Sequence, residues 1–367
     1  MKFSCLQEHL NKGLNQVSHL ASKNVSLPIL NNVLISCEKG IIKLSATNLE
    51  MGINTIVRGK VDEAGKITVP AKTLADHINL LPDEKIELTS QENNLLVKSK
   101  STQTTIRGQS ADEFPVIPVV EQKISHAVKA KDFKKSIGQV VYAVAQDESR
   151  PEISGVYIKI KSGRATIVAT DSYRLAEKKT QLAKPNEHDV EAIIPTRTIQ
   201  ELARIVYDDA NNLEMYFSDN QVMFVCEGVE LISRIIEGQY PDYRQIIPQD
   251  YKTVAKFSCD EMIKAVKSAA LFSKTGINDV NLKFNAKAGR IMVSSANTQL
   301  GESTTEIRAE ITGEENVTVF NHRYLLDGLA NLDTSQGALS LIDGSNPGTL
   351  TPKDLDDFLY IIMPIKQ

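Results

Sequence analysis

The chain has 367 residues, with 42 Lys+Arg against 46 Asp+Glu, a formal net charge of −4, 41% hydrophobic residues and 24% charged ones. These are ordinary globular values, and they exclude a disordered chain, because the apolar content is too high and the net charge too small. The length suits two or three domains of roughly 100–200 residues each. No run approaches the ~18 consecutive apolar residues of a membrane span.

At the N-terminus, Met1-Lys2-Phe3-Ser4-Cys5 runs into Gln7, Glu8 and His9 before any apolar stretch develops. No secretory signal is therefore expected, and the cytoplasm is the expected location. Leu6, Leu10, Leu14 and Val17 share one helical face, which predicts a helix over 7–19 started by a Ser4/Gln7 capping box. A second helix is expected over 71–81. A third, over 131–145, has Phe133, Ile137, Val141 and Val144 on one face with Val140 alongside. Val156, Ile158 and Ile160 then alternate with Tyr157, Lys159 and Lys161, the pattern of a half-buried strand. Turns such as Lys39-Gly40 and Ser162-Gly163 punctuate the strands. The helix over 196–207 carries Ile199, Leu202, Ala203 and Val206, and Leu213, Met215 and Phe217 read as a strand. Ser258 and Glu261 form a capping box for a helix over 259–272 with Met262, Ile263, Val266 and Ala270 on its face. Leu282 and Phe284 alternate with Lys283 and Asn285, and a last helix is expected over 322–331.

The elements repeat. Asn48, Asp171 and Asn297, each within a similar short fragment, stand 123 and 126 residues apart. Lys72, Arg197 and Arg323 follow at intervals of 125 and 126, and Phe114-Pro115 returns as Tyr240-Pro241 after 126. Lys2-Phe3-Ser4-Cys5 recurs as Lys256-Phe257-Ser258-Cys259. Solenoid units repeat at ~20–50 residues, so each unit here is a whole domain. Three similar domains are expected, over 1–121, 122–248 and 249–367. The order helix, strands, helix, strands points to an α+β fold, with two helices packed on antiparallel sheet in each domain and possible twofold similarity within it.

The six expected helices carry ten basic and seven acidic residues, a net +3, against −7 for the remainder. Lys72, Arg197 and Arg323 each fall in the first turn of the second helix of their repeat. The helix dipole disfavours cations there by about 0.3–1 kcal/mol. Three such cations suit an external anion, and phosphate is the natural one. The competing reading is a solvated charged surface.

No phosphate-binding Gly-x-x-x-x-Gly-Lys loop, dinucleotide fingerprint, zinc-protease motif or nucleophile elbow occurs. The six histidines and the cysteines Cys5, Cys37, Cys226 and Cys259 lack metal-ligand spacing, and buried free thiols are expected. Neither a metal nor a cofactor is expected.

Leu27-Pro28-Ile29-Leu30, Ala169-Thr170-Asp171-Ser172-Tyr173-Arg174-Leu175, Tyr240-Pro241-Asp242-Tyr243-Arg244 and Met363-Pro364-Ile365 resemble the bacterial DNA polymerase III beta subunit, the sliding clamp, over the whole chain. The resemblance implies a head-to-tail ring dimer of three-domain protomers, with helices toward a lumen that holds double-stranded DNA without regard to sequence. It implies a non-catalytic processivity factor. Its partners would be the replicative polymerase alpha subunit, a clamp loader, and other polymerases and repair proteins, which bind through short motifs built on glutamine, leucine and an aromatic residue. The implied peptide cleft comprises Ile153, Thr170, Ser172, Tyr173, Arg174, Leu175, Pro241, Ile246, Ile361, Ile362, Met363, Pro364 and Ile365. In it Thr170 and Arg174 would orient the peptide by polar contacts.

This sequence departs from the family pattern at Tyr173, which is often His, and at Gln245, where Arg is expected. Asn24 stands in place of an Arg in a DNA-facing loop. The implied DNA contacts are Arg150, Lys72, Arg197 and Arg323, and the implied subunit contacts are Ile106, Leu271 and Phe272. A non-encircling DNA-binding scaffold is the alternative reading.

Overall fold

The computed structural model describes residues 1–21, 27–147, 149–184, 188–207, 210–274 and 276–366; Asn24 lies outside them. One pattern, a strand, a helix and three strands, recurs six times. The first copy is β1 (Lys2–Leu6), α1 (Gln7–Val17), β2 (Asn32–Glu38), β3 (Ile41–Thr47) and β4 (Met51–Val57), continued by β5 (Gly59–Glu63). The second is β6 (Gly65–Pro70), α2 (Ala71–Leu80), β7 (Lys85–Gln91), β8 (Asn94–Lys98) and β9 (Gln103–Arg107). The middle repeat gives β10 (His126–Lys129), α3 (Ala130–Gly138), β11 (Gly155–Lys161), β12 (Arg164–Thr170) and β13 (Arg174–Lys184). It continues with β14 (Val190–Pro195), α4 (Thr196–Ile205), β15 (Asn212–Phe217), β16 (Gln221–Cys226) and β17 (Val229–Arg234). The last repeat gives β18 (Thr253–Ser258), α5 (Cys259–Ala270), β19 (Asp279–Asn285), β20 (Arg290–Asn297) and β21 (Gly301–Gly313). It ends with β22 (Asn316–Asn321), α6 (His322–Ala330), β23 (Gln336–Leu341), β24 (Gly348–Pro352) and β25 (Phe358–Ile362).

The α+β class and the two similar halves of each repeat follow directly. The expected helical openings are corrected, because each repeat opens on a strand. Ser4 lies inside β1, Leu6 is the N-cap residue of α1 without a side-chain cap, and Gln7 instead donates to the Ile78 carbonyl at 2.7 Å. Ser258 does cap α5, its hydroxyl accepting from the Glu261 backbone N–H. The third helix stops at Gly138 rather than 145, since glycine weakens a helix interior by about 1 kcal/mol. A 3-10 turn over Val141–Ala143 follows. On α5 the buried face is Met262, Val266 and Ala269, not Ala270.

The chain forms two compact units, Met1–Lys131 with Glu201–Ile235, and Asp132–Gln200 with Ile236–Gln367. In the first unit an antiparallel sheet runs β6-β2-β3-β4-β17-β16-β15-β10, so β4 of repeat one pairs with β17 of repeat two. A second sheet runs β5-β1-β7-β8-β9. In the second unit the order is β14-β11-β12-β13-β25-β24-β23-β18, so β13 of repeat two pairs with β25 of repeat three. A further sheet runs β22-β19-β20-β21.

Period-2 patterning decides which face is core: Val156, Ile158 and Ile160 are buried, whereas Lys161 is exposed. In the first unit α1 packs its Leu10, Leu14 and Val17 face on β3, β4 and α2. In the second, α5 packs on β20, β21 and α6. A strap crosses the sheet face in each unit. In the first, Ile117 sits so close over Gly52 that a Cβ there would lie 2.7 Å from its methyl group. In the second, Tyr240 and Tyr243 of the strap join a cluster with Ile153, Val168, Leu175, Ile193 and Ile361.

Candidate functional site

The site is built on the turn between β12 and β13. Asp171 Oδ1 accepts from the backbone N–H groups of Tyr173 and Arg174, both at 2.9 Å. Thr170 Oγ1 donates to the Arg174 carbonyl at 2.7 Å and accepts from Ser172 N–H at 3.2 Å. Ser172 is thereby held at φ +75°. Repeat one makes the same turn with Asn48 and Thr47, with Leu49 at φ +77°. Asn297 Oδ1 caps the corresponding turn of repeat three through the N–H groups of Gln299 and Leu300. The repeated Asn/Asp is therefore an Asx turn.

Repeat two has Asp rather than Asn because its carboxylate has a second task. Asp171 Oδ2 accepts from Arg174 Nε at 3.0 Å. The same guanidinium pairs with Asp327 of α6 and donates to the Tyr142 carbonyl at 2.8 Å. The ring of Tyr324 lies 4.5 Å from its central carbon. Only 11% of the Arg174 side chain is exposed. The polar groups of Thr170 and Arg174 are thus engaged by the turn, by α6 and by the Tyr142 carbonyl.

The turn fixes the end of the chain as well. Arg174 pairs with Ile362 and Leu175 with Ile361 in the β13–β25 ladder, and Met363 N–H donates to the Tyr173 carbonyl at 2.9 Å. Ile365 N–H donates to the Val319 carbonyl at 2.8 Å. Gly348 pairs with Ile362, which brings the Ser345 loop alongside, and Asp343 Oδ1 holds that loop through Ser345 and Asn346. These hydrogen bonds, chiefly from Ser345, hold the Asp343 carboxyl down at about 2.

The thirteen expected cleft residues thus divide by exposure. Ile153, Leu175, Ile361 and Ile362 are fully buried, and Thr170 is buried as well. Tyr173 is 63% and Ile246 36% exposed. Ser172 is exposed, and Pro241, Met363, Pro364 and Ile365 are half-buried. Tyr173, Ile246, Pro241, Met363, Pro364 and Ile365 are thus the apolar members that keep exposed surface. Tyr173 stacks on Tyr324 with ring centres 6.5 Å apart. Sequence reasoning missed Tyr142, Tyr324, Asp327 and the buried Tyr360, which reach the site from elements far along the chain. Gln245 is exposed and donates to Asp242 at 2.9 Å.

Lys72, Arg197 and Arg323 are each the second residue of their helix, all three exposed, and none makes an ion pair among the described residues. Asn321 caps α6 by accepting from Arg323 N–H at 3.0 Å. Burial, reinforced by the neighbouring Arg323 charge, pushes the His322 imidazole below its ordinary range. Arg150 is exposed but engaged, with Nη1 donating to Ser172 Oγ at 2.9 Å and Nε to Glu152 at 3.2 Å.

Ile106 lies in the edge strand β9 and is 5% exposed. Leu271, the C-cap residue of α5, is 71% exposed, and Phe272 is half-buried. The Phe272 ring lies 3.7 Å from the Cβ position of Gly301 at the start of β21. All four cysteines are free and buried, and burial pushes the Cys5 thiol up to about 12. Among the described residues no helix is long and apolar enough to cross a membrane.

Family models for the DNA polymerase III beta subunit match along the chain, the N-terminal domain at residues 1–118, the central domain at 127–242 and the C-terminal domain at 244–366. A beta sliding clamp of Synechococcus elongatus is 30% identical over 374 residues, covering 100% of this chain and 99% of its own. One of Streptococcus pneumoniae is 28% identical over 375 residues, covering 99% of each. The crystal structure of the Bacillus subtilis sliding clamp superposes with a TM-score of 0.95 at 26% identity, covering 100% of this chain and 99% of that one. A Pseudomonas aeruginosa clamp bound to griselimycin gives 0.94 at 26% identity, with 100% of both chains covered. With three clamp domains in tandem and full-length relatives among the sliding clamps, the chain belongs to the DNA polymerase III beta subunit family.

Proposed function

We propose that two copies of this sliding clamp close head to tail around duplex DNA and hold client proteins by the apolar rim beside the Asp171–Arg174 turn. As a family member the chain is a processivity factor, not an enzyme, and its partners are DNA and polymerase. Domain limits at 1–121, 122–248 and 249–367 suit the three matched regions. The observation that carries the ring is a missing third pairing. Repeat one joins repeat two through β4–β17, and repeat two joins repeat three through β13–β25. The corresponding strands left over are β21 of repeat three and β9 of repeat one. Over Gly301–Arg308, β21 pairs only with β20, and β9 pairs only with β8, among the described residues.

A second copy supplies the missing strand at each edge. The register follows from the other two joins, where Met51 faces Ser233 and Arg174 faces Ile362. Leu300 stands three residues after Asn297, as Met51 does after Asn48. Arg107 pairs with Asn94 as Arg234 does with Gln221. Leu300 of one protomer therefore faces Ile106 of the partner subunit. Leu300 and Leu271 are 65% and 71% exposed, an apolar lip suited to that contact.

Within the ring, phosphate-directed cations such as Lys72, Arg197, Arg323 and Arg150 suit sequence-blind contact, since base contacts would impede sliding. The rim suits short peptides carrying glutamine, leucine and an aromatic residue, offered by the polymerase alpha subunit, a clamp loader and repair proteins. Met363 supplies a shape-adaptable wall. Light scattering tests the closure. Leu271→Ala with Phe272→Ala is expected to give monomer mass, because each buried large apolar side chain contributes about 1.5–3 kcal/mol. An unchanged dimer mass would refute the seam.

A further inference from the structure

We infer that Arg150 is a positioning residue for the client rim and that it couples the rim to DNA, so that duplex and client peptide weaken each other's binding. This rests on the proposed rim and on Arg150 as a phosphate contact, and concerns how one side chain serves both. Its guanidinium is divided between Ser172 Oγ, at 2.9 Å from Nη1, and Glu152, at 3.2 Å from Nε. Ser172 sits at the centre of the turn that fixes Tyr173 and, through the Tyr173 carbonyl, Met363. Its φ of +75° is a conformation that a non-glycine residue holds only when its surroundings enforce it. Thr170 and Asp171 enforce the backbone turn, and Arg150 adds a tether on the Ser172 side chain. Glu152 lies next to the buried Ile153 of the proposed cleft, so both ends of the guanidinium bear on the same site.

Repeat one lacks the pair. The residues 123 positions earlier are Leu27 and Leu49, which cannot make the bond and which are 45% and 48% exposed. Their turn reaches the same left-handed conformation without a strut, so the Arg150–Ser172 bond is not required by the fold. It occurs where the peptide rim is.

A guanidinium presents two forks of nitrogens to an oxyanion. On Arg150 each fork already has one nitrogen engaged. A phosphate bound in bidentate fashion competes with Ser172 or Glu152 for the nitrogens of the fork it takes. The turn then loses its strut, and the rim loses pre-organisation. Coupling of this kind is reciprocal, so a bound peptide weakens the hold on DNA by the same factor.

The test measures binding of a fluorescein-labelled peptide containing glutamine, leucine and phenylalanine to the full-length dimer, with and without saturating short duplex DNA at low salt. In the unmodified protein the duplex is expected to weaken peptide binding about threefold, the scale of one exposed charged contact. Ser172→Ala and Arg150→Gln should each weaken peptide binding about threefold without DNA, and neither should respond further to duplex. Arg150→Lys should keep duplex binding yet fail to restore peptide affinity, because an ammonium cannot span Ser172 and Glu152. Equal peptide affinity with and without duplex in the unmodified protein overturns the coupling, as does full coupling in Arg150→Gln. Absence of any peptide binding, or of any duplex binding, in the unmodified protein instead overturns the underlying rim or DNA reading.

Discussion

At the scale of single residues, Arg174 organises the site. Its charge is compensated by Asp171 and Asp327, its third direction is taken by the Tyr142 carbonyl, and its flat face meets Tyr324. Removing it leaves a carboxylate and a carbonyl without their partner in a nearly closed space. Arg174→Ala is expected to cost about 2 kcal/mol in urea unfolding, below the usual range for a fully buried pair because Asp327 is half-exposed. Arg174→Lys should recover little, since an ammonium cannot replace the fork and the stacking. A variant as stable as the parent would contradict this. His322 offers a pH test. Its folded pKa lies below the unfolded value of 6.5, so its contribution is present above about 6.5 and is lost as pH falls through the depressed folded value. On acidification from neutral pH, His322→Gln should therefore lose less stability than the parent. An equal loss in both would contradict it. Asp171 was legible because the Asn/Asp of the turn repeats three times, whereas Thr170, Tyr173 and Arg174 were pointed to only by the family resemblance. Tyr142 and Asp327 were not legible, because they meet Arg174 from elsewhere in the chain and no local spacing encodes that meeting.

At the scale of elements, the apolar period located four of the six helices described, while their starts needed more than period. The Lys-Phe-Ser openings are strand, and Ser4 obeys the capping rule only in sequence; it pairs with β5 and β7 instead. Gly138 ends α3 early for a backbone reason that apolar spacing does not register. Close approaches were also invisible. Gly328 on α6 lets the Tyr360 ring come within 2.5 Å of where a Cβ would stand, and so seats the helix on β25. The placement of Lys72, Arg197 and Arg323 at the second position of α2, α4 and α6 was legible, because the repeat carries it. Changing all three to Gln should lower the slope of log binding constant against log salt by about 0.9 for each phosphate that these cations neutralise. A slope equal to the parent's, with helicity intact by circular dichroism, would show that these cations face bulk solvent.

At the scale of the whole molecule, two joins of one kind lie within the chain, and among the described residues β9 and the first part of β21 have no third join. The threefold repeat was plain in the sequence, but the strand that each repeat lends to the next was not. Sheet partners are chosen by edges that meet only after folding. Retention by topology needs no tight contact, which reconciles a net charge of −4 with hold on a polyanion. The direct test is to assemble the protein on nicked circular duplex, wash at high salt, and then linearise the DNA. Encirclement requires that the protein stay through the wash and leave through the new ends. Loss from the intact circle during the wash, or persistence on the linear product, would contradict it.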